Sequence, residues 1–148
     1  METKIPPPIV TLIFIFLIAF SNRLVEPFSF EYQTPLGVLI IIGGLSILIS
    51  AARVFKQLET TINPMQPSQA SKLAIIGPFK YTRNPMYLGM LLIIISFALY
   101  KSSIISLILI PLFIFYINKF QIEPEELEMR KKFGKEYEDY CKKVDRWI

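Results

Sequence analysis

Histidine is absent from this chain and cysteine occurs once, at position 141. The missing imidazole excludes every Ser-His and Cys-His catalytic arrangement. Too few sulfurs and nitrogens remain for disulfide frameworks, Cys/His zinc sites or haem attachment, so no metal centre is expected. Cys141 reads as structural. Any chemistry must rest on carboxylates, Arg, Lys, Tyr, amides, backbone groups or a cofactor that brings its own reactivity.

Polar residues are also scarce. Of 148 residues 53% are hydrophobic and the mean hydropathy is +0.47, too apolar for a water-soluble domain of this length. The expected class is an all-α polytopic membrane protein. Four apolar runs stand out, at residues 9–25, 36–52, 86–100 and 104–120. Each falls short of the ~20 residues that cross a hydrocarbon core, so local thinning or flanking residues must complete about four transmembrane helices. The first run lacks a basic flank before it and a small-residue cleavage site at Ser21-Asn22-Arg23. It therefore reads as a retained helix and not a secretory signal.

The net charge of +4 has an address. Basic and acidic residues balance from residue 119 onward and around Arg23 and Lys101, whereas Arg53, Lys56, Lys72, Lys80 and Arg83 face only Glu59. Segment 53–83 is therefore expected on the cytoplasmic side, with both termini, and either sets topology alone or also meets an anionic headgroup or substrate. No nucleic-acid partner is expected.

The second run carries Gly37, Gly43, Gly44, Ser46 and Ser50, small residues that let another helix approach closely. Lys101-Ser102-Ser103 is almost too short for a loop, so the third and fourth runs should form a tight antiparallel hairpin with an outer tip. Residues 57–78 hold Pro64, Pro67, Gly77 and Pro78, which predicts an irregular connection. After Phe120 charge dominates, yet Met129, Phe133, Tyr137, Tyr140 and Val144 recur at spacings of three and four. That pattern predicts a C-terminal cytoplasmic amphipathic helix, in one piece or broken at Gly134. The chain reads as one domain, 1–148, with two spans in 1–55 and a loop, hairpin and terminal helix in 56–148.

Residues 77–89, GPFKYTRNPMYLG, put two basic residues, two prolines and three aromatics at the edge of a span. Interfacial anchoring needs far less. Pro85 pushes Asn84 out of the α region, so a helix starts near Pro85 with Asn84 at its N-cap. The Asn84 amide and the free N–H groups of the first turn would form a polar cradle, with Phe79, Tyr81 and Tyr87 offering aromatic faces. Glu125-Glu126 is a second constellation. Adjacent helical carboxylates diverge by about 100°, so one can hold a cation while the other orients an Arg or a backbone group. A solvated surface pair is the plain alternative.

Together, GPFKYTRNPMYLG, the hairpin after it and EELEMRKKFGKEYEDYCKKVDRWI resemble the membrane methyltransferases of the isoprenylcysteine carboxyl methyltransferase and phospholipid N-methyltransferase superfamily. The resemblance covers about residues 60–148, including TTINP at 60–64. It implies S-adenosylmethionine held without a Rossmann domain, between the last two spans and the C-terminal helix. By position it places Ser71, Lys72, Leu73, Ala74 and Phe79 along the cofactor, with Asn84, Pro85, Met86 and Tyr87 in a motif whose first residue is often His. Glu125 would pair with the cofactor's amino group, beside Glu126. Tyr87, Gln121 and Arg83 are the expected residues on the acceptor side.

A sulfonium methyl is already electrophilic, so transfer needs chiefly approach and orientation. A carboxylate acceptor needs no base; an amine must lose a proton, with help from Tyr87, Glu126 or solvent. The carboxyl methyltransferases place an Arg one turn before the glutamates, where this chain has Gln121, which cannot make the bidentate, charge-assisted pairing of Arg with a carboxylate. The implied function is methyl transfer to a lipophilic small-molecule or prenylated acceptor among membrane lipids, with prenylcysteine carboxylates disfavoured. An NADPH-dependent reductase of the sterol-reductase type and a non-enzymatic lipid-binding membrane protein are the alternatives.

Overall fold

The computed structural model describes residues 5–21, 23–24, 26–28, 30–59 and 71–148. Among the described residues all regular structure is helical: α1 (Pro7–Ser21), α2 (Gln33–Leu58), a 3-10 turn at Gly77–Lys80, α3 (Pro85–Lys101), α4 (Ser106–Ile117), a π-turn at Asn118–Ile122, α5 (Glu123–Phe133) and α6 (Lys135–Cys141). TTINP, Pro64, Pro67, residues 1–4, Asn22 and Val25 lie outside the described residues.

Two helices are longer than the apolar runs that announce them. α2 has 26 residues, about 39 Å at the helical rise, because it continues six residues past Ala52 through Arg53 and Lys56 to a left-handed stop at Glu59 (φ +52°). α4, the π-turn and α5 form one continuous 28-residue helix, Ser106–Phe133. Its apolar part ends at Ile122, and a charged arm follows that carries Glu123, Glu125, Glu126 and Glu128. Both are long and apolar enough to cross a membrane, so the expectation that every run is short is corrected. α1 and α3 are shorter apolar helices.

The π-turn has a local cause. Pro124 has no N–H to give the ladder, and Glu123 N–H reaches back five residues to the Asn118 carbonyl. The wider turn rotates everything after it, which determines where the glutamates point.

The core lies where α1, α3 and α4 meet. Ile18, Ile94, Phe113, Ile117 and Ile122 have no exposed surface, and Phe14 meets Phe113 edge-on at 5.3 Å. α2 packs along α3 through small residues, with Ser96 Oγ donating to the Gly37 carbonyl at 2.7 Å. At the hairpin, Ser102 turns left-handed (φ +54°). Ser103 is buried, its hydroxyl 2.6 Å from that of Ser21. The amphipathic helix expected over 125–144 is two helices. Gly134, at φ +50°, breaks it, and Val144 lies beyond α6 in a terminal segment that doubles back over the start of α3.

Candidate functional site

The start of α3 and the polar arm of the long helix meet beneath that terminal segment. Asn84 occupies the N-cap position with non-helical φ −127° and ψ 55°, but its side chain makes no cap. Its Nδ2 instead donates to the Arg146 carbonyl at 2.9 Å, which also accepts the Thr82 hydroxyl at 3.2 Å. In the polar cradle one of the amide's two N–H donors is thereby taken by the chain itself, which leaves the second N–H and the carbonyl Oδ1.

Glu125 and Glu126 diverge as their adjacency requires. Glu126 is buried and ion-paired on both oxygens, to Arg83 at 2.9 Å and to Arg146 at 2.7 Å. Burial works to raise its pKa, but hydrogen bonds from Arg146 and then Arg83 outweigh it and hold the carboxyl below the ordinary carboxylate range. Glu125 accepts the hydroxyl of Tyr87. Burial pushes its pKa up to about 8, opposed by the Tyr87 hydrogen bond and reinforced by the charge of Glu126. The two acids thus stand in opposite settings: Glu126 is neutralised by two arginines, whereas burial disfavours the ionised form of Glu125, which has no cationic partner among the described residues.

Arg83 is held by the chain itself. Its Nη1 donates to the carbonyls of Cys141 (3.2 Å) and Val144 (2.9 Å), its Nη2 to Glu126, and its backbone N–H to Asp145 (2.9 Å). The guanidinium expected on the acceptor side is turned onto the C-terminal segment and Glu126.

The three aromatics do not converge. Phe79 is buried against Ala51, Val54, Ala74 and Phe55 of a second apolar cluster, meeting the Phe55 ring edge-on at 5.2 Å. Tyr87 is buried in the main core with Met90, Leu91 and Ile94. Tyr81 points outward, 79% exposed. The aromatic faces offered by this stretch therefore lie in three different settings. Of the remaining expected residues, Ala74, Pro85 and Met86 are packing residues of this region. Ser71 and Lys72 lie exposed at the edge of the described chain.

Leu73 lines an open groove of about 480 Å³ together with Ile75, Lys80, Glu136, Asp139, Tyr140, Lys143 and Val144. The size suits a small-molecule ligand. Tyr140 is fixed in this lining by its hydroxyl, which donates to the Phe79 carbonyl at 2.7 Å. Val144 joins groove to acidic pair, since its carbonyl takes Arg83.

Gln121 is 1% exposed. Its Nε2 donates to the Ile5 carbonyl at 2.8 Å, and its Oε1 is buried without a partner among the described residues. Lys119 is paired at the surface with Glu123, at 2.9 Å.

Sequence reading singled out none of Thr82, Arg146, Trp147 and Asn118, and named Tyr140 only as a residue of the apolar stripe. Trp147 packs on the main core and donates its indole N–H to Asn118 Oδ1 at 3.0 Å. The available signal was an Arg and the chain's one Trp placed just after the last residue of the apolar stripe.

Among the described residues the protein is all-helical, with two helices long and apolar enough to cross a membrane and a polar junction at the ends of α3 and the longer of them, features that go with association with a membrane. Residues 32–136 match the Phospholipid methyltransferase family, and the chain belongs to that family, a branch of the isoprenylcysteine and phospholipid methyltransferase superfamily. An uncharacterised protein of Haemophilus influenzae is 41% identical over 63 residues, which is 43% of this chain and the whole of that protein. No solved structure matches.

Proposed function

We propose that the protein transfers a methyl group from S-adenosylmethionine to a lipophilic acceptor that reaches the site from the bilayer. The observation that carries this reading is Glu125, a buried carboxyl that accepts the Tyr87 hydroxyl and has no cationic partner among the described residues, beside a Glu126 already neutralised by two arginines. The donor set fits the cofactor. Glu125 would take its amino group, Asn84 Oδ1 is a second acceptor for a cation, and the groove has apolar walls at Leu73, Ile75 and Val144 with Asp139 and Glu136 on its rim. When bound, the cofactor supplies an electrophilic sulfonium methyl, whose transfer leaves the C–S electron pair on sulfur and uses a lone pair of the acceptor. The protein's part is to hold and orient, to keep Glu126 from competing for the cation, and to exclude water.

In the same reading α1, α2, α3 and the apolar part of Ser106–Phe133 form four spans. Both termini and segment 53–83 lie in the cytoplasm, and residues 101–103 lie outside. Calorimetric titration of the purified protein with S-adenosylhomocysteine and with NADPH tests the cofactor. Saturable binding of the first alone is expected; binding of NADPH alone would transfer the site to a reductase.

A further inference from the structure

The outer face of α2 carries a pattern that neither the core nor the acidic pair uses. Val38, Ile42, Leu45 and Ile49 follow one another at spacings of four, three and four, and all are exposed. The buried residues of the helix, Gly37, Gly44, Ala51 and Val54, lie on the opposite side, against α3 and the 3-10 turn. Continued by four and then by three, the exposed stripe arrives at Arg53 and Lys56, which are exposed as well. The face of α2 turned away from the protein thus ends in two cations.

Their depth and their company set them apart. The rise from Gln33, where α2 starts, to Arg53 is about 30 Å, the thickness of a hydrocarbon core, and Lys56 is one turn further on. Neither is ion-paired among the described residues, whereas Lys119, Lys131 and Lys142 each hold a carboxylate at 2.7 to 2.9 Å. Glu59 is the one acid in segment 53–83. Helical residues three apart are neighbours, about 5 to 6 Å between Cβ atoms, and like charges there repel. The helix dipole favours a cation in the last turn but does not call for a pair on the exposed stripe. An anion between the two converts their repulsion into attraction for both.

We propose that Arg53 and Lys56 form a surface site for the headgroup of an acidic phospholipid, whose acyl chains lie along Ile49, Leu45 and Ile42. The Arg53 guanidinium can pair with two phosphate oxygens at once, and the Lys56 ammonium adds a point charge beside it. A zwitterionic headgroup offers the same phosphate but brings a cation of its own, so net negative charge is what the pair selects. The lipid held here is a bound ligand and not a methyl acceptor, because the stripe faces away from the 3-10 turn that leads to Asn84 and the acidic pair. The site rests on α2 crossing the membrane, as its length and hydropathy allow. It depends neither on methyl transfer nor on which side of the membrane the helix ends.

Native mass spectrometry of the full-length protein, released from neutral detergent micelles, reads bound lipid one molecule at a time. Phosphatidylglycerol and phosphatidylcholine with identical chains are titrated separately. The first phosphatidylglycerol should bind about tenfold more tightly, a little less than two cations give at an acidic surface. Arg53→Gln with Lys56→Gln should reduce that preference to about twofold or less, and either substitution alone to about threefold. Lys131→Gln with Lys142→Gln removes as much charge from lysines that already hold carboxylates, and should leave the preference intact. Comparable affinities in the wild type, an undiminished preference without Arg53 and Lys56, or an equal loss in both double variants would overturn the proposal. Should the first double variant fail to fold, the wild type and the two single variants decide. The same spectra count chains: a lipid-free dimer that disappears on removal of Arg53 and Lys56 would give the face to a second copy and overturn the lipid assignment.

Discussion

Arg146 holds both carboxylate oxygens of Glu126, with Nη2 on Oε2 at 2.7 Å and Nε on Oε1 at 3.1 Å. Because the Arg146 carbonyl also takes the Asn84 amide, one residue of the terminal segment fixes a side chain on each of the two helices that meet at the site. Arg83 completes the clamp from the other side of Glu126.

Glu126→Gln should therefore destabilise the protein by about 2 to 3 kcal/mol, since it leaves two guanidinium groups short of a charge. Arg146→Ala should cost less, about 1 kcal/mol, because its side chain is 34% exposed and screened by solvent. The double variant should lose less than the sum of the two. Thermal unfolding in micelles, followed by circular dichroism, measures all three. A folded-state pKa held below its unfolded value stabilises above the ordinary carboxylate range, and that stabilisation disappears as pH falls through the depressed value. The clamp should accordingly be insensitive to pH between about 5 and 8 and open only in stronger acid.

Glu125 should behave in the opposite sense. Its pKa of about 8 makes ionisation in the free protein increasingly costly as pH rises from the unfolded carboxylate value towards 8, so its contribution to stability falls across that window. A cationic ligand reverses the preference by favouring the ionised form. S-adenosylhomocysteine should bind with release of up to one proton below about pH 8, its affinity rising with pH and then levelling. Calorimetry in buffers of different ionisation enthalpy reads that proton directly. Glu125→Gln should weaken binding by about 1.5 to 3 kcal/mol and abolish the proton release, whereas Glu128→Gln, on a solvated pair with Lys131, should change neither. Equal, negligible effects would return Glu125 to the status of a structural acid.

How much of this was legible follows from the range of each interaction. Pro85 marks the start of α3 because proline's effect is local. α2 outran its apolar run because a helix need not stop where hydrophobicity does; Arg53 and Lys56 continue it until Glu59 turns left-handed. The divergence of Glu125 and Glu126 is a property of adjacent helical residues. That Arg83 and Arg146 would choose Glu126, and Tyr87 choose Glu125, was not readable, since those contacts cross 43, 20 and 38 residues. The separate directions of the three aromatics were unreadable for a similar reason. Phe79 and Tyr81 belong to the 3-10 turn and its end, whereas Tyr87 is in the first turn of α3, and periodicity says nothing about how the turn and the helix are set against each other.

The seam between α2 and α3 makes a sharp comparison available among glycines. A Cβ on Gly89 would lie 2.6 Å from Leu48 Cγ and 2.8 Å from the Gly44 carbonyl, while one on Gly43 meets nothing within 4 Å. Gly89→Ala should force the helices apart at a cost of about 1 to 3 kcal/mol. Gly43→Ala should be neutral or slightly stabilising, because alanine is the better helix former. Unfolding of the two variants under one set of conditions checks the pair, and equal stabilities would mean that α2 and α3 do not pack this closely.

The proposed topology can be tested at two exposed positions. α3 has 17 residues, about 26 Å of helix, which crosses only a thinned bilayer. Its ends should therefore lie close to the two interfaces, with little chain to hide them. Ile104, just past the hairpin turn, is 48% exposed and belongs to the end proposed to lie outside. Lys80 is exposed in the basic segment proposed to lie in the cytoplasm. In a Cys141→Ser background, Ile104→Cys should react with a membrane-impermeant maleimide in intact cells, and Lys80→Cys only after permeabilisation. The assignment follows from the excess of positive charge in segment 53–83, which resists translocation. The reverse pattern would invert the protein in the membrane and move Glu125, with any donor bound to it, away from the cytoplasmic supply of cofactor. Labelling of both positions from one side would require an even number of crossings between them, which α3 as a single span does not allow.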